Sequence, residues 1–273
     1  MGLVKRYLRA MLLFFAALYL GFLIFAVFLS DGMIFLPHPS SYRDSPEIIR
    51  IPTANGNRIS AVYLPNPSAR FTLLVSHGNA EDIGDDREWL QELRRSGFGV
   101  FAFDYEGYGT SEGKPSERAA YQDEAAAYDY LAVNLGTPPD RIVIFGRSVG
   151  TGPATYIAAR RPAAGLILQS PFVSAFRVLT HVPLLPFDKF PNARNIRHVH
   201  CPVLIMHSRR DRVIPFWHGQ KIFELANEPK EFFWPTEPDH NEMELVAGYW
   251  EALRRYSVTL ANRRVDVPVS GQR

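Results

Sequence analysis

The longest apolar run in the chain is also its first. No charged residue stands between Ala10 and Ser30, whereas Lys5, Arg6 and Arg9 precede the run. A helix needs roughly 20 apolar residues to cross the hydrocarbon core, while the apolar part of a cleaved secretory signal is about 7–15. The run ends in FLSDGMIFLP, without a small-x-small cleavage site. It therefore predicts an uncleaved transmembrane signal anchor over 10–30 with a basic flank over 1–9. Such flanks stay cytoplasmic, which puts everything after the anchor on the non-cytoplasmic side.

Beyond a linker expected over 31–45 the pattern changes period. PEIIRIPTANGNRISAVYLP reads as two strands joined around Asn55-Gly56, a strong hairpin signal. Short unbroken apolar runs follow: FTLLVSH (71–77), FGVFAFD (98–104), RIVIFG (141–146), AAGLILQS (163–170), PVLIMHS (202–208) and KEFFWP (230–235). Runs of this kind suit strands covered on both faces. Helical segments separate several of them. DREWLQELRRSG stops at Gly97, and SERAAYQDEAAAYDYLAVNLG opens on a half-formed capping box, Ser116 without an acid at Ala119. Strands alternating with helices predict a mostly parallel sheet with helices on both faces and the antiparallel hairpin at its edge. The expected organisation is one α/β domain over 46–264, a possible cover segment over 170–201 and a tail over 265–273.

Composition narrows the function. The 273 residues are 47% apolar, enough for a full α/β core once the anchor is set aside. A formal charge of +2 lacks the basic excess of a nucleic-acid binder. The single cysteine, Cys201, allows no intramolecular disulfide. There is no G-x-G-x-x-G or P-loop, so no nucleotide cofactor is expected. His198, His200 and Cys201 stand at the entry to a strand, where alternate residues diverge, so no metal site is expected.

The chemistry concentrates where apolar runs end. Gly146-Arg147-Ser148-Val149-Gly150 follows RIVIFG and matches G-x-S-x-G, the strained strand-to-helix turn that presents a serine. Its glycines are needed where the backbone folds too tightly for a β-carbon. His77-Gly78-Asn79-Ala80 follows FTLLVS, Asp211 follows PVLIM, and His240 follows KEFFWP. Ligands collect at the carboxyl ends of strands in sheets of this type. The chain order Ser, Asp, His is that of one triad scaffold among three common ones. A serine hydroxyl is a poor nucleophile at neutral pH, so His240 is expected to take its proton and Asp211 to orient the imidazole. The backbone N–H groups of Val149 and Asn79 are the candidate donors to the oxyanion. His77 and His207 are rival bases. His77 better suits a brace for the turn, and His207 stands too close in sequence to Asp211 to be oriented by it easily.

With these residues in place, the chain resembles the α/β-hydrolases. More closely, it resembles the membrane-associated serine hydrolase family that includes the eukaryotic α/β-hydrolase-domain protein depalmitoylases and their bacterial relatives. The resemblance rests on SHGNAEDIG (76–84), DYEGYGTSEGKPSE (104–117), GRSVGTGPA (146–154), SPFVSAFRV (170–178) and HSRRDRVIPFWHG (207–219), blocks that span nearly all of the chain past the anchor. It implies an α/β-hydrolase fold, the same roles for Ser148, Asp211 and His240, and a structural loop built on Asp104, Gly107 and Gly109. Two departures stand out. PDHNE lacks the small residues often found before the base histidine. The depalmitoylases reach the membrane through lipidated N-terminal cysteines, whereas here an apolar helix takes that place.

Between Ser170 and Cys201 lies a connection rich in Phe, Leu and Pro. Connections longer than about 12–15 residues usually carry function or structure of their own. An apolar cover beside Ser148 suits an acyl chain, and the anchor holds the site near a bilayer. The expected substrates are therefore acyl esters of lipids or lipidated molecules, with Arg147, Arg209, Arg210 and Arg212 as candidate contacts for an anionic head group. Because a triad cleaves amides as well as esters, a serine peptidase of the same fold stays the alternative. A non-catalytic membrane interaction protein is the second.

Overall fold

A computed structural model describes residues 2–180 and 182–263; the tail expected over 265–273 lies outside them. Asn55-Gly56 makes the turn its residue types favour, Gly56 taking φ +89°, and joins β1 (Ile49–Pro52) to β2 (Arg58–Leu64) in antiparallel register. The unbroken apolar runs become β3 (Thr72–Ser76), β4 (Gly99–Phe103), β5 (Ile142–Arg147), β6 (Gly165–Gln169), β7 (Val203–Met206) and β8 (Lys230–Phe233). These six pair in parallel, and β2 joins β4 antiparallel. The order across the eight-stranded sheet is β1-β2-β4-β3-β5-β6-β7-β8.

Each buried strand feeds two cores, because successive side chains leave a strand on opposite faces. Along β5, Ile142 and Ile144 pack with one set of helices while Val143 and Phe145 pack with the other. One layer holds helices Glu117–Asp129, Thr151–Ala158 and Trp217–Leu225; the opposite layer holds Arg87–Arg95 and Tyr249–Arg263. Helix Arg87–Arg95 buries Trp89, Leu90 and Leu93 and stops before Gly97, whose φ of +106° ends it. Ser116 caps the next helix by accepting from the Ala119 N–H at 3.1 Å. Fully burying a side chain the size of Leu or Phe stabilises by about 1.5–3 kcal/mol. The two filled layers are what hold the strand ends in place.

The sheet reverses its order at β3. The chain runs from β3 outward to β4, then crosses back over β3 to β5, so β3 lies between them. At such a point the connections leave in opposite directions and a crevice opens above the strand ends. Ser76 stands opposite Gly146 across that crevice.

Helix Gly2–Phe28 is long and apolar enough to cross a membrane. Residues 31–45 differ from the expected linker. Phe35 is buried and packs edge-on against Tyr105, Tyr108 and Phe190 at centroid distances of 5.9–6.4 Å. Asp31 pairs with Lys189 at 2.6 Å, and the Tyr42 hydroxyl donates to Asp104 at 2.5 Å. Beyond the short helix Asp31–Ile34, Pro37 and Pro39 interrupt any regular pattern, so isolated aromatic anchors are invisible to periodicity. Through these contacts the segment packs against the domain.

Candidate active site

Ser148 sits at the carboxyl end of β5 with φ +51°, in the left-handed region that costs a non-glycine residue about 1–3 kcal/mol. The turn closes because its flanking positions lack side chains. A β-carbon on Gly146 would meet Gly150 O at 2.6 Å and Ala154 Cβ at 2.7 Å, and one on Gly150 would meet His77 O at 2.6 Å. Here the glycines serve close approach of backbone to backbone, as the sequence motif implies.

The structure brings Ser148, His240 and Asp211 into one hydrogen-bonded line. Ser148 Oγ is 2.9 Å from His240 Nε2, and His240 Nδ1 is 2.7 Å from Asp211 Oδ2. Asp211 accepts from the Val213 and Ile214 N–H groups at 3.0 and 2.7 Å. Burial opposes its charge, but hydrogen bonds from His207, His240 and Ile214 outweigh burial and hold the carboxyl well below the usual range. An ionised Asp211 accepts a hydrogen bond from Nδ1–H, which keeps the proton on Nδ1 and leaves Nε2 free to accept from the serine.

His207 corrects the expectation that sequence proximity keeps it from Asp211. Its Nε2 donates to Ile214 O at 2.8 Å and lies 3.4 Å from Asp211 Oδ2. It is wholly buried and braces the acid. His77, the other rival, braces the opposite loop as expected. Its Nδ1 donates to Gly78 O at 2.8 Å, its Nε2 lies 3.4 Å from Asp104, and the Tyr105 hydroxyl donates to its carbonyl at 2.9 Å. Asp104, buried and pushed up to about 6 by that burial, accepts from the Ile83 N–H and from Tyr42. The β4 loop is thus a strut under the β3 loop.

Asn79 and Val149 line the same cavity as Ser148 and His240. The Asn79 side chain is itself engaged in bracing. Its Oδ1 accepts from the Leu36 N–H at 2.8 Å, from the Tyr108 hydroxyl at 2.7 Å and from the Ala80 N–H at 3.0 Å. Ala80 takes φ +56°. The loop is pinned into its shape from several sides.

The sequence groups Arg147 with Arg209, Arg210 and Arg212 as contacts for an anionic head group, and the structure overturns that for Arg147. Its partly buried guanidinium pairs with Glu81 at 2.6 Å and Asp86 at 2.5 Å, and lies over the Trp89 ring at 4.3 Å. Glu81 in turn accepts from the Gly78 N–H. A residue of the Ser148 turn therefore holds the neighbouring β3 loop through a carboxylate bridge. Arg210 pairs with Glu237, Arg212 pairs with Asp239, and Arg209 lies over Phe216, so these three tie the acid loop to the histidine loop or to its surroundings. The charged residues lining the cavity, beyond the paired Arg147, include Asp85, Glu88, Glu92, Glu242 and Glu244. Among the described lining residues, an anionic head group finds no unpaired Lys or Arg. The sequence signal for the Arg147 bridge was a basic residue inside the serine motif with acids at 81 and 86; nothing local linked them.

The cavity in front of Ser148 has a volume of about 1250 Å³, beyond the ~300–1,000 Å³ usual for a small-molecule site. Phe172, Phe176, Val178 and Leu179 line it, all from the segment expected as a cover. One group of possible metal ligands occurs among the described residues: His38, Asp82 and Asp85 bring one ligand atom each within 4.8 Å of one another. Asp82 is already used by Ser41 and by the N–H groups of Gly84 and Asp85, and His38 pairs with Asp85 at 2.9 Å. Burial pushes the Cys201 thiol up to about 12, which leaves it protonated and unreactive.

Comparison with known proteins agrees with this fold. Residues 67–186 match the family described as Serine aminopeptidase, S33. The chain is 39% identical over 223 residues to human alpha/beta hydrolase domain-containing protein 17B, covering 80% of this chain and 77% of that protein. It is 38% identical to the Caenorhabditis elegans alpha/beta hydrolase domain-containing protein aho-3 over 226 residues, 80% of this chain and 67% of that one. Among solved structures, an esterase of Pyrococcus furiosus superposes with a TM-score of 0.68 at 17% identity, over 84% of this chain and 98% of its own. Identity of this extent over most of both proteins shows the relationship: the chain belongs to the family of alpha/beta hydrolase domain-containing protein 17, a branch of the α/β-hydrolase superfamily, and is a serine hydrolase.

Proposed function

We propose that this hydrolase cleaves carboxylic esters or thioesters of acyl, lipid-like substrates through an acyl-enzyme. Ser148 is the nucleophile, His240 the base and Asp211 the acid. Ser148 Oγ attacks the carbonyl carbon while its proton passes to His240 Nε2. The negative charge that forms on the carbonyl oxygen is met by the Val149 and Asn79 N–H groups, and Asp211 stabilises the imidazolium. The tetrahedral adduct collapses, and the alcohol or thiol leaves with the proton from His240. Water then attacks the acyl-serine, giving a proton to His240, which passes it to Ser148 Oγ as the acyl–serine bond breaks and the free acid leaves.

The observation that carries this reading is the unbroken Ser148–His240–Asp211 line opening onto a large cavity with an apolar wall. A fluorophosphonate probe should label the chain and fail to label the Ser148→Ala variant. Labelling that survives the substitution would remove the nucleophile assignment. A panel of p-nitrophenyl esters should be hydrolysed; inertness towards all of them would count against an esterase.

A second reading, hydrolysis of amides, is favoured by two observations. The matched family is described as a serine aminopeptidase, and the acidic residues lining the cavity suit an ammonium group. Matched ester and aminoacyl-amide substrates separate the two.

Helix Gly2–Phe28 anchors the enzyme in a membrane, with Lys5, Arg6 and Arg9 on the cytoplasmic side and the catalytic domain across it. A reporter fused at the C-terminus and active only in the cytoplasm should be silent; activity would reverse the orientation.

A further inference from the structure

The cavity before Ser148 has a wall that the hydrolase domain does not supply. Phe22, Phe25 and Ala26, from the last turns of helix Gly2–Phe28, line it together with Ser148 and His240. Phe176 and Leu179 stand in the same lining. The helix end is held in place. Ala26 and Ser30 are buried at 2% and 4% exposure, Asp31 pairs with Lys189, and Phe35 is buried in the core. One residue further on, the Leu36 N–H donates to Asn79 Oδ1 and, at 3.0 Å, to the Tyr108 hydroxyl. Asn79 lies in the loop beside the nucleophile, so helix, tether and loop form one hydrogen-bonded connection.

Upstream of Phe22 the helix is bare: Phe14, Leu18 and Leu20 are 55–60% exposed. Apolar residues of one helix therefore stand both on the part suited to lipid and in the cavity lining. Exposed Leu179, Val182 and Leu184 add to them on the other side, and the Tyr19 hydroxyl reaches Leu184 O at 3.4 Å. An apolar patch of this extent marks a surface that meets another apolar phase.

We infer that the end of the anchor helix is a wall of the substrate groove, and that the substrate's acyl chain enters from the bilayer leaflet alongside Phe22 and Phe25 without crossing water. This rests on the ester-hydrolase reading above. The occupant is the acyl chain of an ester already resident in the membrane. Every methylene drawn through water opposes binding, and a groove continuous with the lipid avoids that cost.

The test uses the full chain in phosphatidylcholine vesicles. A fluorophosphonate with a long alkyl chain and a terminal diazirine is reacted at Ser148 and irradiated. Cross-links should map to residues 22–34 and 172–185; cross-links confined to other segments would overturn the inference. In a second arm, Phe22→Ala/Phe25→Ala should lower kcat/KM for a hexadecanoyl ester relative to a butanoyl ester by about tenfold or more. Leu13→Ala, on the helix far from the cavity, should leave that ratio as it is. An unchanged ratio in the double variant, with Ser148 still labelled by a short probe, removes the wall. Loss of labelling by the short probe in the unmodified chain would instead remove the hydrolase reading. A long-chain acylglycerol and an S-acylated peptide, each embedded in the same vesicles, then distinguish the two sources of acyl chain: cleavage of either supports the leaflet route, and cleavage of neither overturns it.

Discussion

The two sides of the cavity are built differently. On the sheet side nearly everything is buried and bonded: Ser76, His77 and Gly150 lie in the core, and Arg147 is paired twice and stacked. On the other side Leu179 and Val182 are 79% and 59% exposed, at and just beyond the end of the five-residue helix Ala175–Leu179. The contrast separates two physical demands. Groups that make and break bonds must hold their geometry to a fraction of an ångström, which needs packing from all sides. A surface that takes an acyl chain needs only apolar area and freedom to conform to it.

Breaking the rigid side should therefore cost most. Ser148→Ala should lower turnover by at least ~10⁴-fold in steady-state assays with a p-nitrophenyl ester. Asp211→Asn should follow at about 10³–10⁴-fold, because the amide NH2 can donate to Nδ1, and the tautomer of His240 that then carries its proton on Nε2 cannot accept from the serine. Gly150→Ala tests the packing itself. Its β-carbon falls on backbone carbonyl oxygens of β3 and the loop after it, and the overpacking should cost about 1–3 kcal/mol, a Tm fall of about 2–10 °C by calorimetry. An unaffected Tm would mean the crevice is looser than described.

Beneath the rigid side, burial pushes Glu124 up to about 8, against a hydrogen bond from Ser76 that lowers it. Asp123 is pushed up to about 8 in the same way. Between its unfolded value near 4.5 and about 8, Glu124 holds a proton in the folded state and releases it on unfolding. Its contribution is complete below the unfolded value and is lost as pH rises through about 8. Tm should fall over that window, and Glu124→Gln should shallow the fall; the same slope in both proteins would refute the protonated assignment. The smallest effect belongs to the exposed tie between the acid and histidine loops. Arg212→Ala should leave Tm unchanged and lower kcat/KM modestly, and high salt should reduce the activity of the unsubstituted chain in the same direction.

Much of this was legible before any coordinates. The strands, the edge hairpin and the helix stops follow from apolar runs and from Gly56 and Gly97, whose conformations only glycine adopts freely. Ser148, Asp211 and His240 could be picked out because each follows an apolar run and belongs to the few residue types able to do the chemistry. What stayed hidden were residues whose roles need a neighbour distant in sequence. Arg147 read as a surface cation until Glu81 and Asp86 stood beside it. His207 read as too close to Asp211 because residues four apart along an extended chain diverge, whereas here the chain turns and brings them together. Phe35 and Tyr42 lay in a stretch with no period at all.

By itself, then, the sequence determined which segments are strands and helices and which side chains could carry a nucleophile, an acid and a base, since both follow from local periodicity and intrinsic chemistry. Tertiary structure alone decided that β3 lies between β4 and β5, that the loop of Asn79 stands across from Ser148, and that the N-terminal helix closes one side of the cavity. Strand order and helix docking are chosen by how two apolar faces fill space together, and no window of the chain contains that sum.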